Sequence, residues 1–201
     1  MKTVIVTGGI GSGKSAVCAC LKKRGVPVYD CDARVRGLYG RRPSLVSQLE
    51  IALGTPLKGA DGRLDKARLA ALIFSDPHAR ETLEGIVYPI LLKDIRRWQQ
   101  RQTAPWGALE SAVILSKPVF DGVADGVVLV EAPEEVRMAR VMRRDGLERE
   151  AVKGRIRSQE IPREKADVII LNDGTPQALS EAVERVFFDK NSYISKLICK
   201  V

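Results

Sequence analysis

The stretch Thr7-Gly8-Gly9-Ile10-Gly11-Ser12-Gly13-Lys14-Ser15 restricts what this chain can fold into more than any other. It follows an apolar run, Thr3–Thr7, that reads as a strand. It leads into Lys14–Arg24, where Val17 and Leu21 repeat at helical spacing and Gly25 supplies a stop. Gly8 and Gly13 bracket four residues before Lys14-Ser15, the spacing of a phosphate-binding P-loop. Glycines let the backbone curl until successive N–H groups point at one anion, and the positive end of the following helix adds to the attraction. The expected phosphate binders are Gly9, Gly11, Ser12, Gly13, Lys14, Ser15 and Ala16, with Lys14 reaching the β- and γ-phosphates and the Ser15 hydroxyl expected on magnesium. A dinucleotide fingerprint is the competing reading, because Asp30 and Asp32 lie about 20 residues on. Glycines at 9, 11 and 13 do not have that spacing, and that fold has no use for Lys14-Ser15.

Further strand-like runs fall at Val26–Tyr29, Ala108–Leu115, Val127–Glu131 and Val168–Leu171, separated by helical patterns. Alternation of this kind means a parallel sheet covered on both faces. The expectation is an α/β, P-loop NTPase-type three-layer fold: a five-stranded parallel sheet with a helical substrate-binding subdomain and a lid. We read one domain over 1–201, with a core (1–32, 104–144, 164–201), a helical insertion (33–103) and a charged lid (145–163). Within the insertion, Gly59-Ala60-Asp61-Gly62 reads as a loop, and the tail 189–201 as partly helical.

Composition narrows the partners only in part. Lys and Arg number 33 against 25 Asp and Glu, a net charge of +8 that attracts anions. The basic residues are dispersed and no aromatic-rich basic pattern appears, so a small phosphorylated substrate accounts for the charge as well as nucleic acid does. No stretch approaches the roughly 20 apolar residues of a membrane span. The N-terminus carries no cleavage-site signature, so the expectation is a cytoplasmic protein, a monomer without membrane or nucleic-acid partner. Cys18, Cys20, Cys31 and Cys199 lack metal-ligand spacing and read as spare thiols.

A P-loop alone does not name a reaction. A guanine-specificity N-K-x-D motif and a transporter-type glycine signature are both absent from the sequence. Glu131, ending an apolar strand, reads either as a magnesium-site acid or as the surface end of a core strand. Asp30-Cys31-Asp32, directly after the second strand, falls on the sheet edge where ligands bind. A carboxylate there can accept a proton from an attacking hydroxyl or help to hold magnesium, or it can cap the next helix. Arg140, Arg143 and Arg144 end the helix after the fourth strand, with Arg149, Arg155 and Arg157 beyond. They read as phosphate clamps or as a solvated face. His78, the only histidine, sits in the helix-start pattern Ser75-Asp76-Pro77-His78, which argues against histidine catalysis.

Over about Thr3 to Arg185 the chain resembles the dephospho-coenzyme A kinase family. The resemblance rests on the P-loop wording, Asp30-Cys31-Asp32, and Asp61-Gly62-Arg63-Leu64-Asp65 with Leu69, Ile73-Phe74, Asp76 and Leu83-Glu84. It continues through Arg140, Arg144-Asp145, Gln159, Ala166-Asp167 and Asn172. It implies ATP-dependent phosphorylation of the ribose 3′-hydroxyl of dephospho-coenzyme A, with ATP and Mg²⁺ as cofactors. Asp32 is then the base, Lys14, Arg140 and Arg144 are catalytic, and the segment around Asn172 lies against the adenine. The chain has Tyr88 where the family usually has His, Ser116 where it has Glu, and Lys66 where it has Arg. All three concern the coenzyme side in that reading, and Glu110, expected on the same strand as Ser116, is placed to compensate. A kinase for another small acceptor, such as a nucleoside monophosphate, and a non-enzymatic nucleotide- or RNA-binding module are the alternatives.

Overall fold

A computed structural model describes residues 1–159 and 161–199. Position 160, inside the expected lid, and positions 200 and 201, at the end of the tail, lie outside the described residues. The strands are β1 (Lys2–Thr7), β2 (Val28–Asp30), β3 (Trp106–Glu110), β4 (Gly126–Glu131) and β5 (Val168–Leu171). The helices are α1 (Lys14–Lys23), α2 (Cys31–Arg41), α3 (Pro43–Leu53), α4 (Lys66–Ser75), α5 (Pro77–Arg101), α6 (Glu134–Asp145), α7 (Arg149–Arg157), α8 (Pro176–Phe187) and α9 (Tyr193–Cys199). The chain divides into two compact units, one of Met1–Asp30 with Arg97–Val201, the other of Cys31–Arg96.

The first unit holds a five-stranded sheet in the order β2-β3-β1-β4-β5, with every pairing parallel. β1 is its centre. Val4, Ile5 and Val6 are all buried, so both faces of this strand are covered and its β-branched run suits the pleat. Val4, Val6, Val128 and Val130 pack against Val17 and Leu21 of α1 and Val183 and Phe187 of α8. Trp106 stacks on Phe187 with centroids 5.7 Å apart. A smaller cluster joins α6 and α7, where Met138, Val141, Val152 and Ile156 are buried and Ile10 of the P-loop packs against them.

The second unit is helical, closing on Leu38, Leu45, Val46, Leu49, Leu57, Leu69 and Val87. Its helix starts are signed in the sequence. Asp65 accepts from Ala67 N and Arg68 N to cap α4, and Asp76 accepts from His78 N where α5 begins. Pro77 opens α5, where a missing N–H costs nothing. The Gly59–Gly62 stretch is a turn, with Gly62 N donating to Gly59 O.

Several expected boundaries move, most of all in β2 and β3. Strand β2 starts at Val28 because Pro27 has no N–H to give the ladder; its carbonyl accepts from Ala108 N instead. It runs on through Asp30, which pairs in register with Glu110. Strand β3 ends at Glu110 rather than Leu115, because the Ser111 hydroxyl accepts from Val113 N and Ile114 N and turns the chain into a short 3₁₀ helix, Ile114–Ser116. Ser116 therefore does not share a strand with Glu110. Among the described residues, no helix is long and apolar enough to cross a membrane.

Candidate functional site

The P-loop sits between the end of β1 and the start of α1, at the carboxyl edge of the sheet. Gly13 caps α1 at φ 103°, in the left-handed region, and a Cβ there would collide with Asn172 Nδ2. Position 13 is thus glycine for two reasons, backbone conformation and close approach. Ser12 N donates to Gly9 O and Ala16 N to Gly13 O, closing the loop onto the first turn of the helix. Lys14 Nζ lies back over the loop, donating to Gly8 O at 2.7 Å and Gly9 O at 3.3 Å.

Side chains from four other segments hold this loop. Asn172, after β5, is 6% exposed and donates from Nδ2 to Ser12 O at 2.7 Å. Arg140 makes long contacts of 3.4 Å with Gly11 O, Ser12 O and Asn172 Oδ1. Arg137, one helical turn earlier on the same face of α6, donates from Nε to Ile10 O at 3.0 Å. Gln159, after α7, accepts from Ile10 N at 2.6 Å. Glu110 closes the far side by accepting the Ser15 hydroxyl at 2.5 Å. Its carboxylate also reaches Cys18, whose thiol is pushed up first by burial and then by Glu110.

The structure gathers Gly9, Gly11, Ser12, Gly13, Lys14, Ser15, Ala16, Arg140 and Asn172 into one place. Arg144 is not among them. It forms a two-pronged pair with Asp145, at 2.6 and 2.9 Å, and stays 62% exposed. That hydrogen bonding raises the proton affinity of Arg144 and lowers that of Asp145. Glu131 ends β4 and accepts from Arg163 at 2.9 and 3.3 Å, which engages its carboxylate in a surface pair. Asp30 ends β2, and Asp32 lies exposed in the first turn of α2, inside the helical unit.

Arg137, the loop contact of Gln159 and the contact of Glu110 with Ser15 escaped sequence reasoning. The run Ala112–Leu115 disguised the end of β3, so Glu110 did not read as a strand-end acid. Arg137 had one signal, its spacing of three from Arg140 on a predicted helix. Neither sequence neighbours nor composition pointed to Gln159 as a loop ligand.

The family model described as "CoaE: Dephospho-CoA kinase" matches residues 2–177. The chain belongs to the dephospho-CoA kinase family. Dephospho-CoA kinase of Porphyromonas gingivalis is 38% identical over 190 residues, covering 92% of this chain and 93% of that protein. The enzyme of that name from Thermus thermophilus is 37% identical, covering 90% of this chain and 88% of that protein. Among solved structures, the crystal structure of TT1252 from Thermus thermophilus superposes with TM-score 0.79 at 36% identity, covering 92% of this chain and 95% of that one.

Against that family, the three departures fall in different places. Lys66 is the first residue of α4 and Ser116 ends the 3₁₀ turn after β3, where its hydroxyl donates to Val113 O. Tyr88 is half-buried on α5. Burial raises its phenol first, and the nearby Glu84 and Asp32 carboxylates raise it further.

Proposed function

We propose that this member of the dephospho-CoA kinase family transfers the γ-phosphoryl group of ATP to the ribose 3′-hydroxyl of dephospho-coenzyme A, giving coenzyme A and ADP. The observation that carries the reading is the P-loop, with Lys14 and Ser15 in place, in a chain matched to that family over residues 2–177. The loop amides and Lys14 bind the β- and γ-phosphates. Ser15 and Glu110, a hydroxyl and a carboxylate held together, are hard oxygen donors suited to Mg²⁺ and would hold it. Magnesium when bound neutralises charge on the phosphate oxygens.

Asp32 orients the acceptor hydroxyl and takes its proton. Arg140 stabilises charge that develops on the transferred group, and Arg144, freed from Asp145, joins it when segment 145–163 closes as a lid and expels water. Exclusion of water protects ATP from hydrolysis. The helical segment 33–103 binds the acceptor. Within Cys31–Arg96 a cavity of about 470 Å³ is lined by Arg36, Tyr39, Lys58, Arg63 and Lys66, with Asp61 among them, a mostly cationic wall with an aromatic face suited to the diphosphate of a nucleotide. The Leu171–Gly174 segment lies against the adenine of ATP. In this reading the protein works as a cytoplasmic monomer on two small substrates, without nucleic acid.

ADP release measured by a coupled assay across a panel of acceptors tests the proposal. Turnover with dephospho-coenzyme A far above that with nucleoside monophosphates supports it. Preference for another acceptor overturns the substrate, and acceptor-independent nucleotide binding without turnover overturns the enzyme.

A further inference from the structure

We propose that Arg137 is a further phosphate-contacting residue, meeting the terminal phosphate of the bound nucleotide from the α6 side of the P-loop. The proposal rests on the nucleotide reading of that loop. Three observations converge on it.

The first is position. Arg137 stands in the first turn of α6, and its Nε donates to Ile10 O at the tip of the loop. Its guanidinium lies against Gly9 so closely that a Cβ at that position would collide with Nη2 and Cζ. Glycine at 9 thus leaves the space that the guanidinium fills.

The second is an opening beside it. A cavity of about 490 Å³ is lined by Gly9, Ser12, Arg137, Gln159 and Arg163, among others. Ser12 Oγ at its wall is buried, with Ser12 only 1% exposed, and has no hydrogen-bond partner among the described residues. A buried hydroxyl without a partner is uncommon and calls for an explanation such as a ligand.

The third is charge. Glu131, the carboxylate that lines the same cavity, is paired with Arg163. Glu134 acts on Arg137 only at a distance, and among the described residues Arg137 has no ion pair. Burial lowers the proton affinity of this guanidinium, a cation partly removed from water whose loss Glu134 offsets only in part. With Nε engaged by the loop, the two terminal nitrogens remain for a forked contact with phosphate oxygens, the geometry in which arginine binds phosphate best. Arg140 sits further along the loop, at Gly11 and Ser12. The two arginines therefore address different parts of the polyphosphate.

Calorimetric titration of the whole protein with ADP and with the non-hydrolysable β,γ-imido analogue of ATP separates the possibilities. Arg137→Gln should weaken the analogue by about ten- to a hundredfold, the range of a charged hydrogen bond. It should leave ADP within about twofold, with at most a small drop in the melting temperature of the free protein from the lost contact with Ile10 O. Arg137→Lys, which keeps the charge but not the fork, should recover part of the difference. Equal weakening of both nucleotides would make Arg137 a prop for the loop and overturn the proposal. So would no change in either. If the wild-type protein binds neither nucleotide, the P-loop reading fails first and takes this proposal with it.

Discussion

In the sheet unit the proposed phosphate site is built on a backbone loop, and in the helical unit the candidate groups are side chains. The P-loop needs glycine at 13 because of a left-handed φ and a neighbouring amide, and its carbonyls at Ile10, Gly11 and Ser12 are held from outside by Arg137, Arg140 and Asn172. Asp32, Tyr88 and Lys66 instead project from helices packed on an apolar core that does not depend on which polar groups they carry. The difference teaches how each kind of site can fail. Of the three positions at which the sequence departs from the pattern it resembles, Tyr88 and Lys66 lie in the helical unit. A backbone site fails when spacing changes, whereas a side-chain site can exchange one group for another.

Six substitutions can break or sharpen that contrast. Lys14→Ala should have the largest effect, removing most transfer while the melting curve stays normal, because its ammonium faces oxygens that gain charge and such groups are worth about 3–4 kcal/mol. Near-normal turnover would show that the loop is not the phosphate site. Asp32→Asn, which keeps shape and removes the proton acceptor, should lower kcat about 10²- to 10⁴-fold with ATP still bound. Asp30→Asn should cost less in kcat and more in stability or magnesium dependence, since Asp30 is tied into β2. The reverse ranking at saturating magnesium would exchange their roles.

Arg140→Ala and Arg144→Ala should each lower kcat more than they raise KM for ATP, by steady-state kinetics, because their charge is used as the transition state forms. The effect should be larger for Arg140, which already lies on the loop. A loss confined to KM would mean a ground-state phosphate contact. The smallest effect belongs to Glu50 in the helical unit, whose carboxylate accepts from Leu57 N and Lys58 N and is held below its usual pKa, first by the Leu57 N–H. A depressed carboxylate lends stability that is present above the unfolded pKa and is lost as pH falls through the folded one. Denaturant melts of Glu50→Gln across acidic pH should therefore show a flatter acid limb than wild type, with activity unchanged at neutral pH.

Much of the sheet unit was legible in the sequence because its signals are local. The P-loop spacing, the β-branched strand before it and the stop at Gly25 are each written within a few residues. The helix start at Asp76 is as plain, since an N-cap acts over three residues. What escaped depended on neighbours far along the chain. Glu110 meets Ser15 across 95 residues and Gln159 meets Ile10 across 149. The end of β3 was hidden because Ser111 turns an apolar run that pattern alone extends to Leu115. In the sequence the arginines near Arg144 read equally as clamps or as a solvated face, and the pairing of Arg144 with Asp145 is visible only in the fold.

The central claim is that phosphate leaves ATP on this loop and arrives on the acceptor's ribose. Incubation with ATP labelled at the γ-position and dephospho-coenzyme A, followed by phosphorus NMR of the purified product, measures that directly. The account predicts a labelled phosphomonoester on the 3′-oxygen with wild type and almost none with Lys14→Ala. Label found only as inorganic phosphate, or on any other oxygen of the acceptor, would contradict it.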